Sequence, residues 1–313
     1  MNRSKRKGVQ ISRMRQSRAS PSSRSNQVIE TLTPSAFSIE AAEKWALERA
    51  QEMPPEPFRL TSYFHIDYVV QMGPQERKTR YITRMAKSEE RDGLAYGLPP
   101  LVLPDVDSDF IGKDVRQILK DRLCPNRIDR TALVDVVMGH LSSSANKYVT
   151  LEGTVQNKYF NRARIFAEEA EKIIQRKGIK GNIARALVIG ATAGIIGALR
   201  NQGFEVSTTD LSPLIVGTVL GGVKICNGRL ANASLMKKAD IAIITGMTLP
   251  NRTLPGLIKL AQQYSTSTMI WAITGKNFGR YYTEHGIDCV ISDPTAFHLL
   301  PGSVNIGIWR RNL

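Results

Sequence analysis

The feature that most constrains this chain is a short, wholly apolar run, Ala186-Leu187-Val188-Ile189, which ends on Gly190 and passes through Ala191-Thr192-Ala193 into Gly194. A strand with no polar position has no face to give to water, so it belongs inside a sheet covered on both sides. The residues after it keep alternating. A helix is predicted over 194–201 and strands over 204–209 and 241–245. They are followed by a helix over 254–264, a strand over 268–274, a helix over 278–284 and a strand over 287–291. Short apolar strands separated by helices predict an α/β fold, a Rossmann-like parallel sheet in the C-terminal half.

The N-terminal half follows a different pattern. Ser38 is placed to cap a helix over 38–51, with Ile39, Ala42, Ala46 and Ala50 at helical spacing. Two segments rich in Tyr, Ile, Val and Thr, 61–72 and 78–86, flank Gly73-Pro74 and predict a hairpin. Helices over 113–123 and 128–141 complete a smaller α+β domain, and a long helix over 160–176 leads into the second half. The expected division is a disordered basic arm over 1–37, an α+β domain over 38–159 and a Rossmann-like ligand-binding domain over 160–313.

Charge matters chiefly for the arm. The chain carries a formal +15, and its first 26 residues hold eight Lys or Arg and no acid. That segment is Ser-rich and almost free of aromatics, so it cannot bury enough surface to fold alone. The plain reading of the arm is a solubilising tail; nucleic acid would be a partner only through it, and no recognised nucleic-acid motif supports that role. The first residues have no apolar signal core and no window is apolar enough to span a membrane. A cytoplasmic location is therefore expected, although organelle-targeting peptides share the arm's composition. Cys124, Cys226 and Cys289 form no zinc spacing, and His65, His140, His285 and His298 form no HxxxH pair. Asp105, Asp107 and Asp109 lack the glycine and glutamate of a calcium loop. No metal site is predicted.

The residues that could hold a ligand lie at predicted strand ends. Gly190, Thr192 and Gly194 form the first turn, where glycine lets a ligand approach the N–H groups of the next helix. Asp210 ends the second strand twenty residues after Gly190, where an acid can accept ribose hydroxyls. The fingerprint departs from a dinucleotide loop, since Thr192 stands where its first Gly would be. Asp210-Leu211-Ser212-Pro213 resembles the same stretch in many S-adenosylmethionine-dependent methyltransferases. Farther on, Thr245 and Gly246 end a buried strand, and Thr248, Asn251 and Thr253 crowd polar groups before a helix that Thr253 is placed to cap.

The run Ala-Asp-x-x-Ile-x-Thr-Gly-x-Thr-Leu-x-Asn-x-Thr at 239–253, followed by Gly286-Ile287-Asp288, resembles the Rossmann-like family named for heavy-metal chelation. The resemblance spans about 186–300. It implies a small enolase-N-terminal-like domain beside a Rossmann-like one, with the active site between them. Thr274-Gly275-Lys276-Asn277 departs from the Gly-Pro-Ser-type loop of that family.

Together these readings predict a small-molecule enzyme, a transferase using S-adenosylmethionine or a related adenosine ligand on an anionic or metal-chelating metabolite. Gly190, Thr192, Gly194 and Asp210 are assigned to the cofactor. Thr245, Gly246, Thr248 and Asn251 are assigned to the substrate, with Lys276 as its carboxylate partner. No catalytic acid or base is recognisable. The alternatives are an NAD(P)-dependent oxidoreductase and a non-catalytic protein that binds a metabolite or metal chelate. Oligomeric state is not encoded in any recognisable motif.

Overall fold

The structure, a computed structural model, describes residues 33–72, 77–97, 108–124, 126–142, 144–179, 183–293 and 302–311. The arm up to residue 32, the Gly73-Pro74 turn, Asp105, Asp107 and His298 lie outside the described residues. Among those described, no helix is long and apolar enough to cross a membrane.

Residues 34–37, expected to belong to the arm, form a 3-10 turn, and Phe37 is fully buried against Tyr282. Helix α1 (Ile39–Ala50) then starts at Ser38, whose hydroxyl accepts from the Ala41 N–H at 3.1 Å. Strands β1 (Ser62–Met72) and β2 (Arg77–Lys87) form the expected antiparallel pair, in register from Ser62↔Lys87 to Met72↔Arg77. A third strand, β3 (Asp92–Gly97), pairs with β2. Helix α2 (Val115–Lys120) is capped by Asp114, and α3 (Arg127–Leu141) by Asn126. The α3 helix packs across β3 so closely that a Cβ on Gly93 would lie 2.1 Å from the Ala132 carbonyl oxygen.

The chain enters the larger sheet at β4 (Lys147–Leu151), and helix α4 (Val155–Arg176) follows. The alternation then runs through β5 (Arg185–Ile189), α5 (Ala193–Asn201), β6 (Glu205–Asp210), β7 (Val219–Leu220), β8 (Val223–Asn227), α6 (Gly228–Met236) and β9 (Ile241–Thr245). It ends with α7 (Leu254–Gln263), β10 (Ser267–Ala272), α8 (Gly279–Glu284), β11 (Cys289–Ser292) and β12 (Val304–Arg310). The nine strands lie in the order β4-β12-β11-β10-β9-β5-β6-β8-β7. From β8 through β11 every neighbouring pair is parallel, whereas β12, β4 and β7 are antiparallel to their neighbours. Sequence order reverses between β5 and β9, the switch point of a doubly wound sheet, outside whose carboxyl ends such folds bind ligands.

Both faces of the sheet are dry at its central strands, as their apolar sequences require. Leu187, Ile189, Ala242 and Ile244 point to the face covered by α7, α8 and the N-terminal half. Ala186, Val188, Ile241 and Ile243 point to the face covered by α4 and α5. Burying each such Val, Leu or Ile fully contributes about 1.5–3 kcal/mol. The first face joins Leu187 and Ile244 to Ala42, Leu133 and Val137, so the two halves share one hydrophobic core.

Candidate functional site

A cavity of about 930 Å³ opens at the switch point. One wall comes from the turn after β5 (Ile189–Ala193), from Thr209–Ser212 at the end of β6, and from Arg229 and Asn232 of α6. The facing wall comes from Thr245, Met247, Thr248 and Asn251 after β9, and from Trp271, Ile273 and Thr274 at the end of β10. Tyr81 and Tyr96 from the small sheet and Tyr159 and Arg162 from α4 close the sides. This is the size and apolar character of a small-molecule site.

The first turn is built for close approach. Gly190 has φ +90°, and a Cβ there would lie 2.6 Å from Thr245 Cγ2. Only glycine therefore lets the ends of β5 and β9 converge. Asp210 is half-buried. Its Oδ2 accepts from the Ala191 N–H at 2.9 Å and its Oδ1 from the Ser212 N–H at 2.8 Å. The carboxylate thus fixes both turns, and each oxygen keeps a lone pair for a ligand hydroxyl. Thr192 stands at the N-cap of α5 without a side-chain capping bond. Gly194 is not in the lining. Its N–H donates to the Tyr159 hydroxyl at 2.7 Å, and a Cβ there would lie 2.7 Å from the tyrosine ring.

The facing wall divides the residues grouped from sequence. Thr245, Thr248 and Asn251 line the cavity. Gly246 is buried behind it, where a Cβ would lie 2.3 Å from the Thr274 carbonyl oxygen. Thr248 is buried and donates to the Thr245 carbonyl at 2.6 Å. The helix entry differs from expectation. Thr253 occupies the N-cap position but makes no capping bond. Instead the Asn251 amide oxygen accepts from the Thr253 N–H at 3.0 Å and the Thr253 hydroxyl at 2.6 Å. Replacing Asn251 with alanine is accordingly expected to cost about 1 kcal/mol, as loss of a cap does. Melting should show a smaller loss for Thr253→Ala, which leaves the bond to its own N–H intact.

Lys276 does not face the cavity. Its ammonium pairs with Asp92 at 2.6 Å, so the carboxylate it meets belongs to β3 of its own chain. The whole loop 274–277 is a joint between the halves. The Gly275 N–H donates to the Leu94 carbonyl, and the Tyr96 N–H to Thr274 Oγ1, both at 3.0 Å. Asn277 Nδ2 donates to the carbonyls of Asp92 and Asp135. Fully buried Asp135 accepts from the N–H groups of Leu94 at 2.9 Å and Asn277 at 2.8 Å. Burial pushes its carboxyl up to about 7 against the lowering effect of those bonds and of Lys276.

Three residues that no sequence motif marks, Arg162, Asp293 and Trp271, support the cavity. Arg162 Nη1 pairs with Asp293 Oδ2 at 2.7 Å, and both side chains are buried. The Trp271 indole N–H donates to the same oxygen at 2.9 Å. The guanidinium lies 5.3 Å from the Tyr159 ring centroid and 5.1 Å from that of Trp271, within cation–π range. His140, by contrast, hydrogen-bonds Ser88 and lies against Phe58 within the first half.

Residues 180–275 match the model of the family DUF364, described as "Putative heavy-metal chelation". A protein of unknown function from the same family in Pyrococcus horikoshii is similar in structure at a TM-score of 0.52 and 14% identity. The match covers 88% of this chain and 99% of that one. A second member, from Desulfitobacterium hafniense DCB-2, matches at a TM-score of 0.47 and 12% identity, over 86% of this chain and 98% of that one. The Pyrococcus structure shares the fold, across both halves. No curated protein is detectably similar in sequence.

The family's description invites a test for metal. Among the described residues, no three His, Cys, Asp or Glu side chains gather as ligands would. The cavity lining offers one carboxylate, Asp210, and no His or Cys. A metal held by these side chains does not fit the described cavity.

Proposed function

We propose that the cavity binds an adenosine-type ligand, S-adenosylmethionine in the first place, and acts as a transferase on a small anionic or metal-chelating second ligand. The observation that carries this reading is one continuous cavity across the β5/β9 switch point with Asp210 at the end of β6. There the carboxylate would accept from ribose hydroxyls, while the Ile189–Ala193 turn and the apolar walls would take a base. The second ligand would face Thr245, Thr248 and Asn251, with Arg229 supplying positive charge. S-Adenosylmethionine would bring an activated alkyl group. The chain's own residues would hold the reactants at attack distance and exclude water, which supplies much of the barrier lowering in such transfers. A metal would enter only as cargo of the second ligand.

A second reading, an NAD(P)-dependent oxidoreductase, draws support from strand order. The parallel strands taken from the edge inward and out again are the third, second, first, fourth, fifth and sixth, which is the dinucleotide-binding order. Calorimetric titration of the full chain with S-adenosylmethionine, S-adenosylhomocysteine, NAD and NADP separates the two. The ribose contact is best tested on the ligand, since Asp210→Ala would also release the Ala191 and Ser212 N–H groups. Adenosine is expected to bind about 10- to 100-fold more tightly than 2′,3′-dideoxyadenosine, the worth of hydrogen bonds to a charged group. Equal affinities would remove Asp210 from the site.

A further inference from the structure

In a dinucleotide-binding sheet, the pyrophosphate sits on the N–H groups that open the first helix after the first strand. Here that helix is α5, and its Gly194 N–H is already engaged by the Tyr159 phenol at 2.7 Å. The fit is specific on both sides. A Cβ at position 194 would lie 2.7 Å from Tyr159 Cε1 and Cζ and 2.9 Å from its hydroxyl. The glycine therefore makes room for a tyrosine ring at the place where dinucleotide folds make room for phosphate. The ring is held in turn by α4, whose first turn is capped by Thr154 accepting from the Asn157 N–H at 3.1 Å. One turn on, Arg162 lies over the ring and is anchored by buried Asp293. Tyr159 lines the cavity from this position.

We propose that Tyr159 is a specificity-determining residue that occupies the pyrophosphate seat of the α5 N-terminus, so that the cavity takes adenosine ligands without phosphate and rejects dinucleotides. This deepens the adenosine reading and rests on it for the identity of the ligand. The exclusion itself has a physical cause that does not. A phenol cannot be displaced by a phosphate without breaking the Gly194 bond and moving a ring wedged beside Arg162. Its removal would expose N–H groups at the start of α5, a setting that favours anions.

The test uses the full chain, with inorganic pyrophosphate and adenosine ligands titrated separately by calorimetry. Wild type is expected to bind S-adenosylhomocysteine and to bind NAD and pyrophosphate at least tenfold more weakly. Tyr159→Ala is expected to gain at least tenfold in affinity for pyrophosphate and NAD. Tyr159→Phe, which keeps the ring but frees the Gly194 N–H, should gain less than the alanine variant. If the alanine variant melts too low, Tyr159→Leu retains packing on α4 without reaching Gly194 and should show the same gain. Pyrophosphate binding by wild type equal to that of the alanine or leucine variant would overturn the proposal. A pyrophosphate gain without binding of any adenosine ligand would uphold Tyr159 as the occupant of the seat and sink the adenosine reading.

Discussion

Asp293→Ala is expected to destabilise the protein by about 3–5 kcal/mol, the cost of taking one partner from a buried ion pair. A whole domain is stable by only about 5–15 kcal/mol, so the variant should approach the limit of folding. Asp293 is fully buried at the end of β11, and one of its oxygens serves both Arg162 and the Trp271 indole. Its other oxygen has no hydrogen-bond partner among the described residues. Asparagine can therefore keep both bonds and lose only the charge, so Asp293→Asn should cost less than the alanine variant. An exposed pair makes the control. Lys44 and Glu48 lie 3.8 Å apart with side chains 78% and 60% exposed, and Glu48→Ala should change stability by less than about 1 kcal/mol. Urea unfolding of the three variants measures the contrast. If Asp293→Ala costs no more than Glu48→Ala, the pair does not hold the cavity wall in place.

That wall also marks where sequence reasoning stopped. The central strands were legible because Ala186–Ile189 and Ile241–Ile244 are buried on both faces and carry no polar position. The outer strands were not. In β8 (Val223–Asn227) Ile225 alone is buried, and β4 is exposed along most of its length, so neither has an apolar run to reveal it. They gain their pairing from neighbours far along the chain, β4 from β12 for example. The helix expected at 160–176 begins at Val155, a turn and more earlier. The lost segment contains Tyr159, the residue that meets Gly194.

The candidate site divides in the same way. Gly190, Thr192, Asp210, Thr245, Thr248 and Asn251 all reach one cavity because they end adjacent strands, and strand ends can be read from sequence. Lys276 also follows a strand end, yet its partner, Asp92, is 184 residues away, and nothing local announces it. Thr248 and Asn251 carry an instructive ambiguity. Each lines the cavity, and each also makes a local bond that shapes the turn before α7. Sequence can place a polar group at a cavity without telling which of its bonds the fold already uses.

The joint that displaced Lys276 from the site gives the protein a pH dependence of its own. Asp135 is buried between the N–H groups of Leu94 and Asn277, with Asp92, Lys276 and Tyr282 as its charged and titratable neighbours. Its folded pKa, about 7, lies above the roughly 3.9 of an unfolded aspartate. The folded state therefore binds the extra proton between those values. Its contribution to stability is complete below about pH 4 and lost as pH rises through about 7, at up to about 1.4 kcal/mol per pH unit. Neighbouring shifts act elsewhere or oppositely. Despite burial, bonds from Arg310 and Lys172 hold Glu169 below its ordinary range, so its contribution is lost only in acid. Burial lowers His140, and that contribution grows as pH rises toward 6.5. A difference measurement isolates Asp135. Asp135→Asn sets an amide against two N–H donors, so it should be less stable than wild type at pH 5. The gap should then narrow by about 3 kcal/mol by pH 8, because only wild type pays for an ionised carboxyl there. Urea titrations at the two pH values test this. A gap that stays constant would mean that Asp135 keeps an ordinary carboxylate pKa, with Lys276 and the two N–H groups outweighing its burial. The joint that brings Tyr96 to Thr274 at the cavity edge would then be insensitive to pH.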